Sequence, residues 1–254
     1  MGKYKAICLD LDGTVYRGIE PIPEAVTFIG EMQQGGIDPY FITNNSSMTC
    51  LQLQEKLASF GIKADRNRIM TSAIAAAKYC KENYKGASVM MIGERGLEEA
   101  LAFEGIEIVK ENPDVVIMGI DRGVTYAKLA DACLAIRAGA NFIATNSDKA
   151  FPTERGLVPG NGSFVTLLES ATGITPVFVG KPEPHMLEFI QVENGYLKEE
   201  MVMIGDNYET DIQAGIRFGI DTVHVAGGVT SREEVQARKQ KPTYSYESLL
   251  EWGM

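Results

Sequence analysis

AICLDLDGTVY (6–16) joins an apolar run to two aspartates, Asp10 and Asp12, one residue apart, with a glycine directly after them. An unbroken apolar run reads as a strand covered on both faces, and carboxylates seldom end such a strand unless something offsets their charge. Similar runs recur along the chain: PYFIT (39–43), SVMMIG (88–93), VVIMGI (115–120), NFIAT (141–145), VFVG (177–180), MVMIG (201–205) and TVHVAGG (222–228). Longer amphipathic segments lie between them. In TYAKLADACLAIRAGA (125–140), Tyr126, Leu129, Cys133 and Ile136 recur at three- and four-residue steps, and Gly139 marks a stop. Repeated strand–helix order predicts an α/β fold built on a parallel sheet with right-handed crossovers.

The 254 residues, 45% hydrophobic and 23% charged, suit a globular chain of one large or two moderate domains. A formal net charge of -10 argues against nucleic acid as partner, because phosphate-tracking surfaces need clustered Lys and Arg. It leaves room for a small anionic substrate, since one local cation outweighs a global balance. No apolar run approaches the ~20 residues of a membrane span. MGKYKAICLD lacks the pattern of a signal peptide, and MGKYKA lacks the Ser or Thr of a myristoylation site. Cys8, Cys50, Cys80 and Cys133 are widely spaced, without zinc-like pairs, and read as reduced thiols. A cytoplasmic protein without membrane attachment is the expectation.

Reactive-looking residues cluster near both ends of the chain. Asp10, Asp12, Thr43 and Asn44 come early, while Lys181, Asp206 and Asp211 come late. The span between carries none of them and has strands and helices of its own. This predicts a core of residues 1–80 and 179–254 interrupted by an inserted α/β domain over 81–178. Ligands of open parallel sheets bind at the carboxyl ends of strands, and AICLD, PYFIT, VFVGK and MVMIGD all end in candidates. If those four strands are neighbours, three or four carboxylates meet a hydroxyl and an ammonium. A hard divalent cation relieves their repulsion, and Mg²⁺ takes such oxygen ligands; without a His or Cys cluster zinc is disfavoured. A carboxylate beside a metal can attack a phosphate ester, and a second carboxyl can protonate the leaving alkoxide and then activate water. Thr43 can donate to a phosphoryl oxygen and Lys181 can neutralise its charge.

DLDGT (10–14), ITNN (42–45), Lys181 in VGKPEP and GDNYETD (205–211) together resemble the four motifs of the haloacid dehalogenase superfamily of phosphohydrolases. With an insertion between the second and third motifs, the chain is similar to the NagD-like, p-nitrophenylphosphatase branch, which carries an α/β cap. The resemblance implies a Rossmann-like core with that cap, Asp10 as nucleophile and Asp12 as general acid/base. It implies Mg²⁺ on the side chains of Asp10 and Asp206 and the backbone carbonyl of Asp12, with Asp211 orienting the metal's waters. Phosphate would be bound by Thr43, the backbone at Asn44, and Lys181. The implied activity is hydrolysis of a small phosphorylated metabolite through an aspartyl-phosphate. Cap surfaces often associate in such families, so a homo-oligomer stays an open expectation.

Plainer readings stand beside these. Asp206 alone reads as a helix N-cap, Asp211 as a charge favoured near a helix N-terminus, and Thr43 as a β-branched strand residue. Asn146 and Asp148, in ATNSD, are candidates for contact with the leaving group or else loop caps. GNGSF (160–164) has the look of a glycine loop for phosphate, but such turns are common before helices. His185 and His224 read as structural. The rival class is a phosphoacceptor receiver domain, about half this length and without DxDGT or a large insertion. A phosphotransferase or mutase on the same fold is the other alternative, while carbon–phosphorus cleavage would need a cap between the first two motifs, where the chain has no room.

Overall fold

The run 6–10 forms strand β1 (Ala6–Asp10) in the computed structural model, which describes residues 3–153 and 155–252. Met1 and Gly2, the start of the N-terminal segment read above, lie outside the described residues. Beyond β1 come the short ribbon β2 (Tyr16–Arg17) and β3 (Glu20–Pro21), α1 (Pro23–Gln34), β4 (Tyr40–Thr43), α2 (Cys50–Ser59) and β5 (Ile69–Thr71). Next are α3 (Ser72–Asn83), β6 (Val89–Ile92), α4 (Arg95–Phe103), β7 (Val115–Met118), α5 (Tyr126–Arg137) and β8 (Asn141–Ala144). The hairpin β9 (Ala150–Thr153) and β10 (Gly156–Pro159), α6 (Asn161–Thr172) and β11 (Val177–Phe178) follow. The chain ends with α7 (His185–Asn194), β12 (Met201–Gly205), α8 (Gln213–Phe218), β13 (Asp221–Val225), α9 (Arg232–Ala237) and β14 (Tyr244–Tyr246).

Packing divides the chain into two units, one of Met1–Thr43, Leu51–Met70 and Lys181–Met254, the other of Asn44–Cys50 and Thr71–Gly180. The first is built on a six-stranded sheet in the order β14-β13-β12-β1-β4-β5. β1 runs parallel to both neighbours, with Leu9 opposite Ile204 on one side and Phe41 on the other. Every residue of β1, β4 and β12 is buried, which is why these runs are apolar without alternation. Strands that follow β1 directly lie on one side of it and later ones on the other, so the order reverses beside β1. That reversal opens a crevice at the carboxyl ends of β12, β1 and β4.

The second unit has a four-stranded sheet in the order β11-β8-β7-β6, parallel throughout, with the β9–β10 hairpin apart from it. Val116, Met118, Phe142, Ile136, Val165 and Leu168 form its core with residues of α5 and α6 around them. Helix α5 begins as its sequence suggests: Thr125 caps it by accepting the Lys128 N–H, and Gly139, at φ +107°, follows its end. A cut at residue 80 or 81 would pass through α3, whose Ser72, Ala73, Ala75, Ala76 and Ala77 are buried. Residues 44–50 join this unit through short contacts. Ser46 Oγ accepts the Ile120 N–H at 3.1 Å, and the Gly96 N–H donates to Ser47 O at 2.9 Å. A Cβ on Gly96 would lie 2.8 Å from Ser46 O, so only glycine permits that approach.

One sequence expectation is corrected. VFVG is not a fourth neighbour in the core sheet; its strand β11 pairs with β8 in the second sheet, Val177 opposite Ile143 and Phe178 opposite Ala144. Lys181 is reached from a loop three residues on. A two-residue apolar strand carries no mark of which edge it will join. The edge strands β5 and β14, three residues each, escaped the reading for a related reason: too few positions show a period. Among the described residues, no helix is long and apolar enough to cross a membrane. All four cysteines are free thiols.

Candidate active site

Three carboxylates converge at the carboxyl end of the core sheet. Oxygens of Asp10, Asp206 and Asp211 lie within 4.8 Å of one another, and all three side chains are buried. Asp10 ends β1 and Asp206 follows β12, so parallel pairing of these two strands brings the acids together from 196 residues apart in the chain. Asp211 arrives by a wide, π-type turn over Tyr208–Ile212 that precedes α8. Its approach demands a glycine at 205, because a Cβ there would fall within the Asp211 carboxylate.

Lys181 bridges two of the acids. Its Nζ donates to Asp10 Oδ1 at 2.5 Å and to Asp211 Oδ1 at 2.6 Å, with Ile42 O at 3.5 Å. Burial alone would lower its pKa, but Asp10 and Asp211 outweigh that effect and hold it protonated. Asp211 is bound further by Asn207 N–H on Oδ2 at 3.0 Å and Thr210 Oγ1 on Oδ1 at 3.2 Å. It is therefore a fully enclosed anchor for Lys181, not an exposed charge on a helix.

Asp206 is held by neutral donors. Thr14 Oγ1 donates to its Oδ1 at 3.1 Å and the Val229 N–H to its Oδ2 at 2.7 Å. Gly13, at φ +97°, and Gly228 both pass so close that a Cβ on either would collide with the carboxylate. The helix-cap role belongs to the next residue, since Asn207 Oδ1 accepts the Glu209 N–H at 3.0 Å. Burial and the neighbouring Asp211 charge push the Asp206 pKa up, against the Val229 and Thr14 hydrogen bonds. Asp10 stands well above the usual carboxylate range. Burial is the main cause, the Asp211 charge adds to it, and Lys181 opposes both.

Asp12 differs from these three in reaching solvent. Protein packed around it still strips part of its hydration and raises its pKa, against Lys56 and Lys181. Tyr16, fully buried, points its hydroxyl to Asp12 Oδ2 at 3.5 Å, and Lys56 Nζ sits 3.5 Å above the Tyr16 ring. A solvent-exposed carboxyl with a raised pKa suits proton transfer; a carboxylate bound on one oxygen by lysine suits attack by the other.

Thr43 closes β4 and is buried at the same sheet end. Asn44, the next residue, packs in the second unit together with both other polar candidates. Its Nδ2 donates to Asp148 Oδ2 at 3.2 Å, and its carbonyl accepts Asn146 Nδ2 at 2.8 Å and Ser72 Oγ at 2.7 Å. The glycines of GNGSF serve that same loop: Cβ atoms on Gly160 or Gly162 would strike the backbone of Ser147 and Asp148. The glycine loop is thus explained by close packing. Sequence reading missed Thr14 and the Val229 amide; the AGGVT segment that carries the latter gave its signal in two adjacent glycines after an apolar strand.

The donor set fits a hard divalent cation. Three buried carboxylates against one ammonium leave two negative charges uncompensated when all are ionised, and every candidate ligand atom is oxygen. The cluster could hold a metal ion among Asp10, Asp206 and Asp211.

This acid–lysine cluster lies at the switch point of a parallel sheet, where the sequence resemblance leads one to expect the site of a phosphohydrolase. The family description haloacid dehalogenase-like hydrolase matches residues 7–107, and HAD-hydrolase-like matches residues 178–252. The 5'-nucleotidase YutF of Bacillus subtilis (strain 168) is 47% identical over 252 residues, 99% of this chain and 98% of that protein. An acid sugar phosphatase of Staphylococcus epidermidis is 44% identical over 250 residues, 98% of this chain and 96% of that protein. The crystal structure of a double mutant thermostable NPPase from Geobacillus stearothermophilus superposes with a TM-score of 0.93 at 48% identity, covering 99% and 98% of the two chains. The chain belongs to the haloacid dehalogenase-like hydrolases, among the NagD-like phosphatases. It is a phosphomonoesterase. A receiver domain is thereby set aside.

Proposed function

We propose that the protein is a Mg²⁺-dependent phosphatase of small phosphomonoesters that works through an aspartyl-phosphate on Asp10. The observation that carries this reading is the bridge from Lys181 to Asp10 and Asp211 beside Asp206. Lys181 occupies Oδ1 of Asp10, so Oδ2 is the proposed attacking atom. Attack on phosphorus breaks the ester P–O bond, and Asp12, protonated, gives its proton to the departing alkoxide. Asp12, now a carboxylate, takes a proton from water as that water attacks phosphorus, and the bond to Asp10 breaks to release inorganic phosphate. Thr43, the backbone of Asn44, and Lys181 bind the phosphoryl oxygens. The side chains of Asp10 and Asp206 and the carbonyl of Asp12 would hold Mg²⁺, which would supply the positive charge that keeps the buried acids ionised. Asp211 fixes Lys181 and the turn that follows Asp206. The second unit is the proposed cap that selects the leaving group.

Nucleotide monophosphates and sugar phosphates are the proposed substrate class, with p-nitrophenyl phosphate as an artificial one; the names of the nucleotidase and sugar phosphatase relatives support this. The test is a panel of phosphometabolites ranked by kcat/KM with and without Mg²⁺, run beside Asp10→Asn. The expected result is hydrolysis that needs Mg²⁺ and vanishes in the variant while its circular dichroism is unchanged. Undiminished turnover by Asp10→Asn would refute the nucleophile assignment.

A further inference from the structure

His224 is a buried polar residue near the carboxyl end of β13 that the chemistry above leaves unused. An apolar side chain would fill a strand interior with less desolvation cost, so both ring nitrogens need partners. They have them. Nε2 lies 3.0 Å from the Thr230 carbonyl, and Nδ1 lies 3.1 Å from Ser245 Oγ, on the residue directly opposite in β14. A carbonyl can only accept, so Nε2 carries the proton and Nδ1 takes the hydroxyl hydrogen of Ser245.

The carbonyl that His224 grips belongs to the segment enclosing Asp206. Thr230 N–H donates to Asp206 O at 3.2 Å, and Thr230 Oγ1 accepts the Tyr208 N–H at 3.0 Å. One residue earlier, the Val229 N–H holds Asp206 Oδ2 at 2.7 Å, and Gly228 lies against the same carboxylate. Val229 is 68% exposed, so the segment is held through its backbone, by Arg17 on the Gly227 carbonyl and by His224 on that of Thr230. Of these two, His224 holds the residue next to Val229.

We propose that His224, oriented by Ser245, is a positioning residue for the carboxylate of Asp206: by holding the Thr230 carbonyl it sets where the Val229 amide and Gly228 place that ligand. The inference rests on the proposed Mg²⁺ role of Asp206. Partners one step removed from a metal commonly govern its affinity about 10–100-fold.

The test is calorimetric titration of Mg²⁺ into the chelator-stripped full chain, unaltered and with His224→Leu, His224→Gln or Ser245→Ala. Kinetics on p-nitrophenyl phosphate and thermal unfolding in chelator accompany it. His224→Leu is expected to weaken Mg²⁺ binding about 10-fold or more, and to raise the Mg²⁺ needed for half-maximal kcat, while KM for p-nitrophenyl phosphate at saturating Mg²⁺ stays level. His224→Gln, whose amide can donate to Thr230 and accept from Ser245, is expected to recover most of the affinity. Ser245→Ala should weaken binding in the same direction and serves as the deciding variant if His224→Leu does not fold. A purely structural histidine would lower the unfolding temperature and leave the Mg²⁺ dissociation constant unmoved; that result overturns the inference alone. No Mg²⁺ binding by the unaltered chain overturns the metal reading and this inference with it.

Discussion

Lys181→Met preserves the length and most of the volume of the side chain while deleting the ammonium shared by Asp10 and Asp211. Both acids are buried, and their contacts to Nζ are 2.5 and 2.6 Å. At an effective dielectric of about 20, one such contact is worth roughly 6 kcal/mol before desolvation is counted. Removing the ammonium also removes its own burial cost, so the net loss is about 3–5 kcal/mol, the range for stripping one partner from a buried pair. In a chain of this size that is a fall in Tm of about 6–20 °C. The loss has a pH signature. Burial and the Asp211 charge already raise the Asp10 pKa against Lys181, and without the lysine it rises further. A carboxyl whose folded-state pKa exceeds its unfolded one stabilises the fold most below the unfolded value, and that contribution is lost as pH rises through the folded value. The variant's deficit should therefore be greatest at neutral pH and above, and shrink as acid protonates Asp10. Thermal unfolding in chelator, followed by circular dichroism from about pH 8 to about pH 5, measures it. A deficit equal at both ends would refute the view that uncompensated buried charge is the cause.

Two further expectations concern the reaction. Asp12→Asn should lower kcat about 10²–10⁴-fold on alkyl phosphates, whose alkoxides need a proton, and much less on p-nitrophenyl phosphate; equal losses on both substrates would count against an acid role. Gly228→Ala would place a Cβ 2.7 Å from the Asp206 Cβ and closer still to its Oδ2, so the carboxylate or the segment must shift by about 1 Å, enough to cost about 10²-fold in kcat/KM. Parent-like steady-state kinetics in that variant would show that the tight cradle around Asp206 is dispensable.

The site was legible in the sequence where chemistry departs from what a strand needs. Asp10 after AICL and Asp206 after MVMIG are costly endings for buried strands, and that cost is the signal. Thr14 belongs to the DLDGT motif, but no role could be read for it until its hydroxyl was found on Asp206. Asp206 and Asn207 are adjacent polar residues before a helix, and only the hydrogen bonds say that Asn207 caps the turn while Asp206 faces the cluster. His224 read as structural because a lone polar residue in a strand does not disclose its partners.

From the sequence alone came the α/β order and the parallel core strands, together with the expectation of an insertion between the second and third motifs and of a site built on Asp10, Asp206, Asp211 and Lys181. These follow from local rules: apolar runs without alternation, amphipathic spacing, and charged residues where burial makes them expensive. Tertiary structure alone decided that β11 joins the second sheet, that residues 44–50 pack with the second unit, and that Lys181 spans Asp10 and Asp211. Those outcomes depend on pairing between segments far apart in the chain, and hydrogen-bonding backbone is the same in every strand. No residue pattern within a single run names its partner.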